Sequence, residues 1–375
     1  MRMKSNLKTL LLVALSLFSL IACGNDNNEN ENNKKPDTEP DPVETTFVTG
    51  ADVSWLTEME HDGKKFYDRK GNEKDCMALL KELGMQAIRL RVWVDPTDGW
   101  CNKADVVNKA ERAKALGLAV MVDFHYSDTW ADPSHQTVPE AWKGHTLAQL
   151  KNDVAEHTKD VLNALKAKGV DVQWVQIGNE TTSGMLWEQG KAEGQNFANY
   201  AALNNAGYDA AKSVYPEAQC IIHLDRGDVA IDLQKPDYNH LTWMFDGLKT
   251  NGAKWDVIGL SCYPEENNWQ NATTQCLNNL TTLYKRYGRK VMICEIGMAW
   301  DSPNAIAVMQ KMVDGCRKSS VCLGVFYWEP EVYGGWKPAI YETLGWGAYN
   351  KGAFDNSGKP MAALDAFNAL NTSKQ

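Results

Sequence analysis

Eight short apolar runs, each separated from the next by a stretch with helical periodicity, constrain this 375-residue chain more than any other feature. The runs are Val48 to Val53, Ala87 to Val94, Ala119 to Phe124, Trp174 to Ile177, Cys220 to Leu224, Val257 to Ser261, Lys290 to Cys294 and Leu323 to Trp328. Amphipathic stretches lie between them: Glu73 to Leu83, Lys103 to Leu116, Leu147 to Lys168, Phe197 to Val214, Leu241 to Leu248, Thr273 to Tyr287 and Ala305 to Cys316. Several stop at a glycine (Gly84, Gly117, Gly169), as helix C-termini prefer. Repeated βα units of this kind predict an α/β fold, and eight of them predict a (β/α)8 TIM barrel as a single domain. A doubly wound open sheet is the competitor, but no Gly-x-Gly-x-x-Gly turn or phosphate loop follows any strand.

The barrel accounts for residues 47–375, and the chain ahead of it reads differently. Met1 to Lys8 is basic, and Thr9 to Ile21 is apolar but short for a membrane span, so residues 1–22 read as an export signal. Its end, Leu20-Ile21-Ala22-Cys23, resembles a lipoprotein lipobox, which would make Cys23 the lipid-attachment site; an ordinary cleaved secretory signal is the alternative. Residues 23–46 are almost wholly polar, cannot bury enough apolar area to offset their ordering entropy, and read as a disordered tether. The acidic run Asn25 to Glu31 resembles the surface-export signal of Bacteroidetes lipoproteins, so the expected location is the outer face of the outer membrane, with the lipid anchor as membrane contact. A net charge of -9 gives no footprint for nucleic acid. The eight cysteines after Cys23 show no zinc-type spacing, and their pairing is left open between disulfides and buried thiols. No cofactor or metal is expected, and the protein is expected to be a monomer.

In a barrel the segments after the strands all face one mouth. Here they are Asp52-Val-Ser-Trp55, Trp93 to Pro96, His125 to Asp132, Asn179-Glu180, His223-Leu-Asp225, Tyr263-Pro264, Glu295 and Trp328-Glu-Pro330, dense in carboxylates, Trp, Tyr and His. Glu180 and Glu295 end buried runs, where a carboxylate is costly to desolvate, so both point to chemistry. Glycoside hydrolysis needs such a pair, one carboxyl to protonate the leaving oxygen and one to attack or to activate water. A separation of about 5–5.5 Å gives retention and about 6.5–9.5 Å gives inversion, a gap that sequence leaves open.

The segments Ile88-Arg-Leu-Arg-Val-Trp-Val-Asp-Pro96, Asp123-Phe-His-Tyr-Ser-Asp-Thr-Trp-Ala-Asp-Pro133, Gln176-Ile-Gly-Asn-Glu180, Ile222-His-Leu-Asp225 and Val325-Phe-Tyr-Trp-Glu-Pro330 together resemble glycoside hydrolase family 53, the endo-β-1,4-galactanases, from about Gly50 to Asp355. The resemblance implies retaining endo-hydrolysis of β-1,4-galactan, the expected polysaccharide partner, with Glu180 as acid/base and Glu295 as nucleophile. It implies Arg89 as the counter-charge to Glu295, and Asn179 as the partner of the sugar hydroxyl beside the reacting carbon rather than a turn-stabilising residue. His125, Asp128 and Trp130 are expected to line the donor side, with a satisfied buried histidine as the alternative for His125. Trp328 is expected as an aromatic platform. Asp52, His223, Asp225 and Trp346 complete the set of binding or supporting residues. Two readings stand against this one: a non-catalytic glycan-binding lipoprotein on a degenerate barrel, and a mannanase or cellulase of the same clan.

Strand alternation adds expectations of its own. Arg89 and Arg91 share a face, with Arg91 either at the site or in a structural salt bridge. If Glu295 points inward, Cys294 points outward; Tyr263 points inward beside Glu295 and Cys262 outward. Two departures from the family pattern are visible. The segment after the seventh strand, Ile296 to Pro303, has too few oxygen ligands for the calcium-binding insertion of some relatives, so no calcium is expected there. Arg226 stands where fungal relatives carry a small polar residue, and a substrate contact there is expected to differ.

Overall fold

The computed structural model describes residues 47–194 and 196–368; the export signal, Cys23 and the tether lie outside them. Eight parallel strands close into a barrel in chain order: β1 (Val48–Asp52), β2 (Ala87–Val92), β3 (Ala119–Phe124), β4 (Val172–Ile177), β5 (Gln219–Leu224), β6 (Val257–Cys262), β7 (Lys290–Ile296) and β8 (Cys322–Trp328), with β8 paired to β1. Each strand matches its apolar run to within two residues at either end.

The outer helices are α1 (Cys76–Glu82), α2 (Lys103–Ala115), α3 (Leu147–Ala167), α4 (Asn196–Val214), α5 (His240–Thr250), α6 (Trp269–Tyr287) and α7 (Ala305–Lys318). Helix α1 starts later than its periodicity suggests, because Glu73–Lys74 pairs with Phe66–Tyr67 as a small hairpin and Asp75 then caps the helix by accepting from Ala78 N. Thr146 and Gln149 form a reciprocal capping box on α3.

Outward strand residues such as Leu90, Val122, Ile177 and Ile293 pack under the helices in the main core. Each such side chain contributes about 1.5–3 kcal/mol by leaving water. The inward residues split by height. Val48, Ala87, Met121, Ile221, Val257, Met292 and Phe326 plug the lower barrel as a separate apolar cluster. Above them the same inward faces turn polar, with Asp52, Arg89, Arg91, Asp123, Gln176, His223, Ser261 and Glu295, all buried. The floor makes the barrel a packed core, and the polar layer places every charged inward group at the carboxyl mouth.

Candidate active site

Arg89 is the hub of the polar layer. Its Nη1 lies 2.7 Å from Asp52 Oδ2, and its Nη2 lies 2.9 Å from Asp123 Oδ2 and 3.0 Å from Glu295 Oε1. Nη2 also donates to Asn179 Oδ1 at 2.9 Å. Burial pushes Asp123 up, but Arg89 and His125 more than offset it and leave the carboxyl below its ordinary range. Ladder register brings these groups together: Asp52 is opposite Arg89, Asp123 opposite Gln176, and Ser261 opposite Glu295.

Glu295 reaches this hub through a break in alternation, and the outward placement expected for Cys294 is incorrect. Leu260 pairs with Ile293, yet the next residue, Ser261, pairs with Glu295, so Cys294 is an extra residue in β7. Such a β-bulge kinks the strand and re-aims the following side chain. Cys294 belongs to the inner apolar cluster, while Glu295 also faces the interior one level higher. On the unbroken end of β6 alternation holds: Cys262 packs in the outer core, and Tyr263 Oη donates to Glu295 Oε2 at 2.7 Å.

Glu180 sits three residues beyond β4 with φ 41°. Tyr126, Arg226 and Glu329, each just past a strand end, share this left-handed backbone with φ of 49°, 46° and 53°. Non-glycine residues held there cost of order 1–3 kcal/mol each, strain that concentrates at functional mouths. Ser261 Oγ donates to Glu180 Oε1 at 2.6 Å. One carboxylate oxygen of Glu180 lies within 4.8 Å of one on Glu295.

The two carboxyls divide one proton between them. Burial, then the charge of Glu295, raise Glu180 well above the carboxylate range, against the single downward pull of Ser261. Burial raises Glu295 as well, but Arg89 and the Tyr263 hydroxyl draw it back. Both carboxyls remain raised, Glu180 further than Glu295, so a proton shared by the pair favours Glu180 and leaves Glu295 the more acidic of the two. His223 offers its Nε2 at 2.8 Å from Ser261 Oγ and its Nδ1 at 3.0 Å from Asn179 Oδ1. Glu180, His223 and Glu295 form the one cluster of metal-binding dimensions among the described residues. Arg89 already supplies positive charge there and His223 is engaged at both ring nitrogens, so the set suits proton transfer rather than an ion.

Above the pair lies a cavity of about 270 Å³. Glu180, Glu295, Asn179, His125, Trp130, Tyr263, Trp328 and Trp346 all line it, as the sequence suggests. Trp328 stands edge-on to Tyr263, with ring centroids 6.4 Å apart. His125 is both a lining residue and a satisfied histidine: Nδ1 accepts from Ala131 N at 2.9 Å, and Nε2 lies 3.0 Å from Asp123. Burial holds its pKa down, so the ring is neutral and Nε2 carries the proton. Asn179 Nδ2 donates to Ala131 O at 2.8 Å, which fixes the amide beside Glu180.

Four other candidates, Asp52, His223, Asp128 and Asp225, do not reach the cavity wall. Asp52 and His223 support it from behind, through Arg89 and Ser261. Asp128 clamps loops instead, accepting from Asp95 N at 3.0 Å and Glu140 N at 2.8 Å. Asp225 accepts from Thr182 Oγ1 at 2.6 Å and pairs with Arg226 at 3.0 Å, which leaves Arg226 turned to solvent. Arg91 forms its salt bridge, 2.7 Å from Glu329, and also lines the cavity beneath Trp55 and Trp130. The eight described cysteines are free, buried thiols.

Sequence alone does not single out Ser261, Gln176, Asp132, Tyr349 or Lys351. Asp132, Tyr349 and Lys351 line the cavity, and Gln176 Nε2 donates to Asp123 at 2.6 Å. Ser261 was readable, since it lies two residues before Tyr263 on the same strand face. Tyr349 and Lys351 arrive from an irregular segment with no periodic signal.

Comparison with known proteins gives a consistent picture. The family model described as glycosyl hydrolase family 53 matches residues 48–314. The probable arabinogalactan endo-beta-1,4-galactanase A of Neosartorya fischeri is 34% identical over 307 residues, covering 75% of this chain and 83% of that one. The solved GH53 catalytic domain of Ignisphaera aggregans aligns with TM-score 0.73 at 30% identity, covering 87% of this chain and 97% of that one. A fungal beta-1,4-galactanase structure aligns with TM-score 0.74 at 28% identity, covering 85% and 98%.

Proposed function

The chain belongs to glycoside hydrolase family 53, and we propose that it is a retaining endo-β-1,4-galactanase acting on pectic galactan and type I arabinogalactan. The observation that carries this reading is the pair Glu180 and Glu295, with one oxygen of each within 4.8 Å of the other and an environment that raises Glu180 further than Glu295. A carboxyl pair this close suits direct attack by a carboxylate, the arrangement that goes with retention.

Ionised Glu295 attacks the anomeric carbon while Glu180 gives its proton to the departing glycosidic oxygen, and a glycosyl ester forms on Glu295. The ester carries no charge, so the repulsion that kept Glu180 protonated is gone and its carboxylate is free to accept a proton from water. That water attacks the same carbon, the ester bond breaks, and both carboxyls return to their starting states. Arg89 and Tyr263 stabilise Glu295 as nucleophile and again as leaving group. Trp328 and Trp346 offer aromatic surface to the apolar faces of galactose.

A non-catalytic role is disfavoured because Glu180, Glu295, Arg89, Asn179 and Tyr263 are all present and connected. The test is reducing-sugar release from linear galactan, mannan and cellulose, with the anomer of the first product followed by NMR. Cleavage of galactan to a β-anomer supports the reading; an α-anomer, or preference for another polymer, overturns it.

The N-terminal pattern supports a finer proposal: residues 1–22 direct export, Cys23 carries a lipid, and residues 23–46 tether a monomeric catalytic domain at the outer face of the outer membrane. Fatty-acid labelling abolished by Cys23→Ser, together with protease access in intact cells, tests this placement.

A further inference from the structure

One cation in the wall of the catalytic cavity has no part in the two chemical steps. Lys351 lines that cavity together with Tyr263, Trp328 and Glu295. Its Nζ stands 4.8 Å from the centroid of the Tyr263 ring. The other cation in the wall, Arg91, is bound to Glu329 at 2.7 Å, whereas no carboxylate among the described residues comes within ion-pair distance of Lys351. Burial draws the Lys351 pKa down, and Glu265, acting from beyond contact, opposes that only in part.

The backbone that presents this side chain is held on both sides. Trp300 N, from the loop after β7, donates to Asn350 O at 2.9 Å, and Ala353 N donates to Pro330 O, just after β8, at 2.7 Å. Between these pins the chain runs so close to the β8 loop that a Cβ on Gly352 would stand 2.0 Å from Val332 O. Tyr349 adds a third fixture: its ring meets Trp328 edge-on with centroids 4.8 Å apart, and its Oη donates to Trp328 O at 3.2 Å. A lysine amino group brings donors and no acceptor. Tyr263 offers it a ring face, because the phenol hydroxyl is turned to Glu295 at 2.7 Å. Substrate entering a cavity of about 270 Å³ displaces water from that amino group, and stripping it without a new acceptor is unfavourable. Hydroxyl oxygens are the acceptors that a neutral sugar brings, and a lysine on a fixed backbone loses less freedom in meeting them.

We propose that Lys351 is a substrate-contacting residue whose amino group donates a hydrogen bond to one hydroxyl of the galactosyl units that are transferred to Glu295. The proposal rests on the galactanase reading above. The contact is made to the half of the substrate that stays bound through both steps, so galactan and an aryl glycoside depend on it equally.

4-Nitrophenyl β-1,4-galactobioside and its monodeoxy forms, each lacking one hydroxyl, separate this contact from a structural role. In Lys351→Met, kcat/KM falls about tenfold on galactan and on the intact galactobioside alike, the loss expected for a hydrogen bond from a charged donor, and both limbs of the pH–rate profile stay in place. One monodeoxy substrate costs the wild-type protein the same factor and costs Lys351→Met nothing further, the coupling that marks a direct partner. Lys351→Arg recovers part of the activity on the intact substrate, and Lys351→Gln carries the comparison should the methionine variant not fold. Losses that simply add for every monodeoxy substrate overturn the contact. So does a shifted acidic limb, which would make Lys351 act on Glu295 through Tyr263. Wild-type protein inactive on both galactan and the galactobioside would remove the galactanase reading, and the contact with it.

Discussion

Ser261 Oγ lies 2.6 Å from Glu180 and 3.4 Å from Glu295, so one hydroxyl stands between the proton donor and the nucleophile. A hydroxyl has a single proton to give, and the shorter contact gives it to Glu180. That bond holds Glu180 down against burial and the charge of Glu295. Ser261→Ala removes it and lets the Glu180 pKa rise further. The basic limb of kcat/KM then moves to higher pH. Turnover falls about tenfold, the worth of a hydrogen bond to a charged group, because the second step needs Glu180 ionised. A pH–rate profile with an unmoved basic limb would count against this role.

How far the sequence reveals this site depends on whether the strand ladder is regular. Alternation alone puts Arg89 and Arg91 on one face and Tyr263 beside Glu295, because β2 and the end of β6 carry no irregularity. It fails at Cys294, where one extra residue changes the phase, and nothing in Val291 to Ile296 marks the insertion. Asp128 and Asp225 share the motif-rich mouth with the true lining residues, yet they accept hydrogen bonds from loop groups. A motif does not say whether a carboxylate faces backbone N–H or open space. Lys351 and Tyr349 come from a long irregular segment whose route depends on tertiary packing.

Arg89→Lys keeps the positive charge but loses the planar fork that reaches Asp52, Asp123 and Glu295 together. Arg89 pulls the Glu295 pKa down, so weakening it raises that pKa and moves the acidic limb of the pH–rate profile upward. Activity falls at least about a hundredfold, within the range for loss of electrostatic preorganisation. Arg89→Ala leaves buried carboxylates uncompensated and lowers stability by about 3–5 kcal/mol. An acidic limb that stays in place in Arg89→Lys would argue that Tyr263 alone maintains the charge on Glu295.

Removing each carboxyl separates the two roles. Glu180→Ala loses about 10²–10⁴-fold on galactan, the usual weight of general acid–base catalysis, and far less on an aryl glycoside whose leaving group needs no proton. Azide then intercepts the glycosyl ester and yields a β-galactosyl azide. Glu295→Ala forms no ester, and azide yields the α-product. The configurations, read by NMR, exchange if the assignments are reversed.

A group of acids away from the reacting pair sets a pH dependence of stability. Burial is the largest influence on Glu329, raised to about 8 despite Arg91, and on Glu331, raised well above the carboxylate range, whose two oxygens have no hydrogen-bond partner. Raised folded values mean that the native state holds protons the unfolded chain has already released. Their contribution is complete below the unfolded value of 4.5 and is lost as pH climbs, for Glu329 through about 8. Buried His125 and His223, lowered mainly by burial, act oppositely: their contribution is present above 6.5 and lost as pH falls. The carboxyls are therefore isolated between pH 7 and 9, where the melting temperature drops by several degrees and Glu331→Gln flattens the slope. Parallel slopes for wild type and variant would assign the drop to other groups.

The β7 bulge supplies a test in which packing, rather than charge, controls the nucleophile. Gly259 leaves the space that Cys294 occupies: a Cβ at Gly259 would stand 2.8 Å from Cys294 Sγ and 2.7 Å from Ile221 Cγ2. Cys294 is the inserted residue and Glu295 follows it, so pressure on the thiol is passed to the carboxylate. Gly259→Ala costs about 1–3 kcal/mol as an overpacked core and lowers kcat by moving Glu295 away from Arg89 and Tyr263. Cys294→Ala alone is milder, because removing Sγ leaves a small cavity and the bulge intact. In the double variant the alanine methyl takes space the sulfur vacated, so kcat recovers toward wild type while the contact with Ile221 keeps part of the stability loss. The diagnostic quantity is the coupling between the two substitutions in kcat, measured beside the melting temperature. If the effects on kcat simply add, the bulge does not position Glu295, and the defect in Gly259→Ala is one of stability alone.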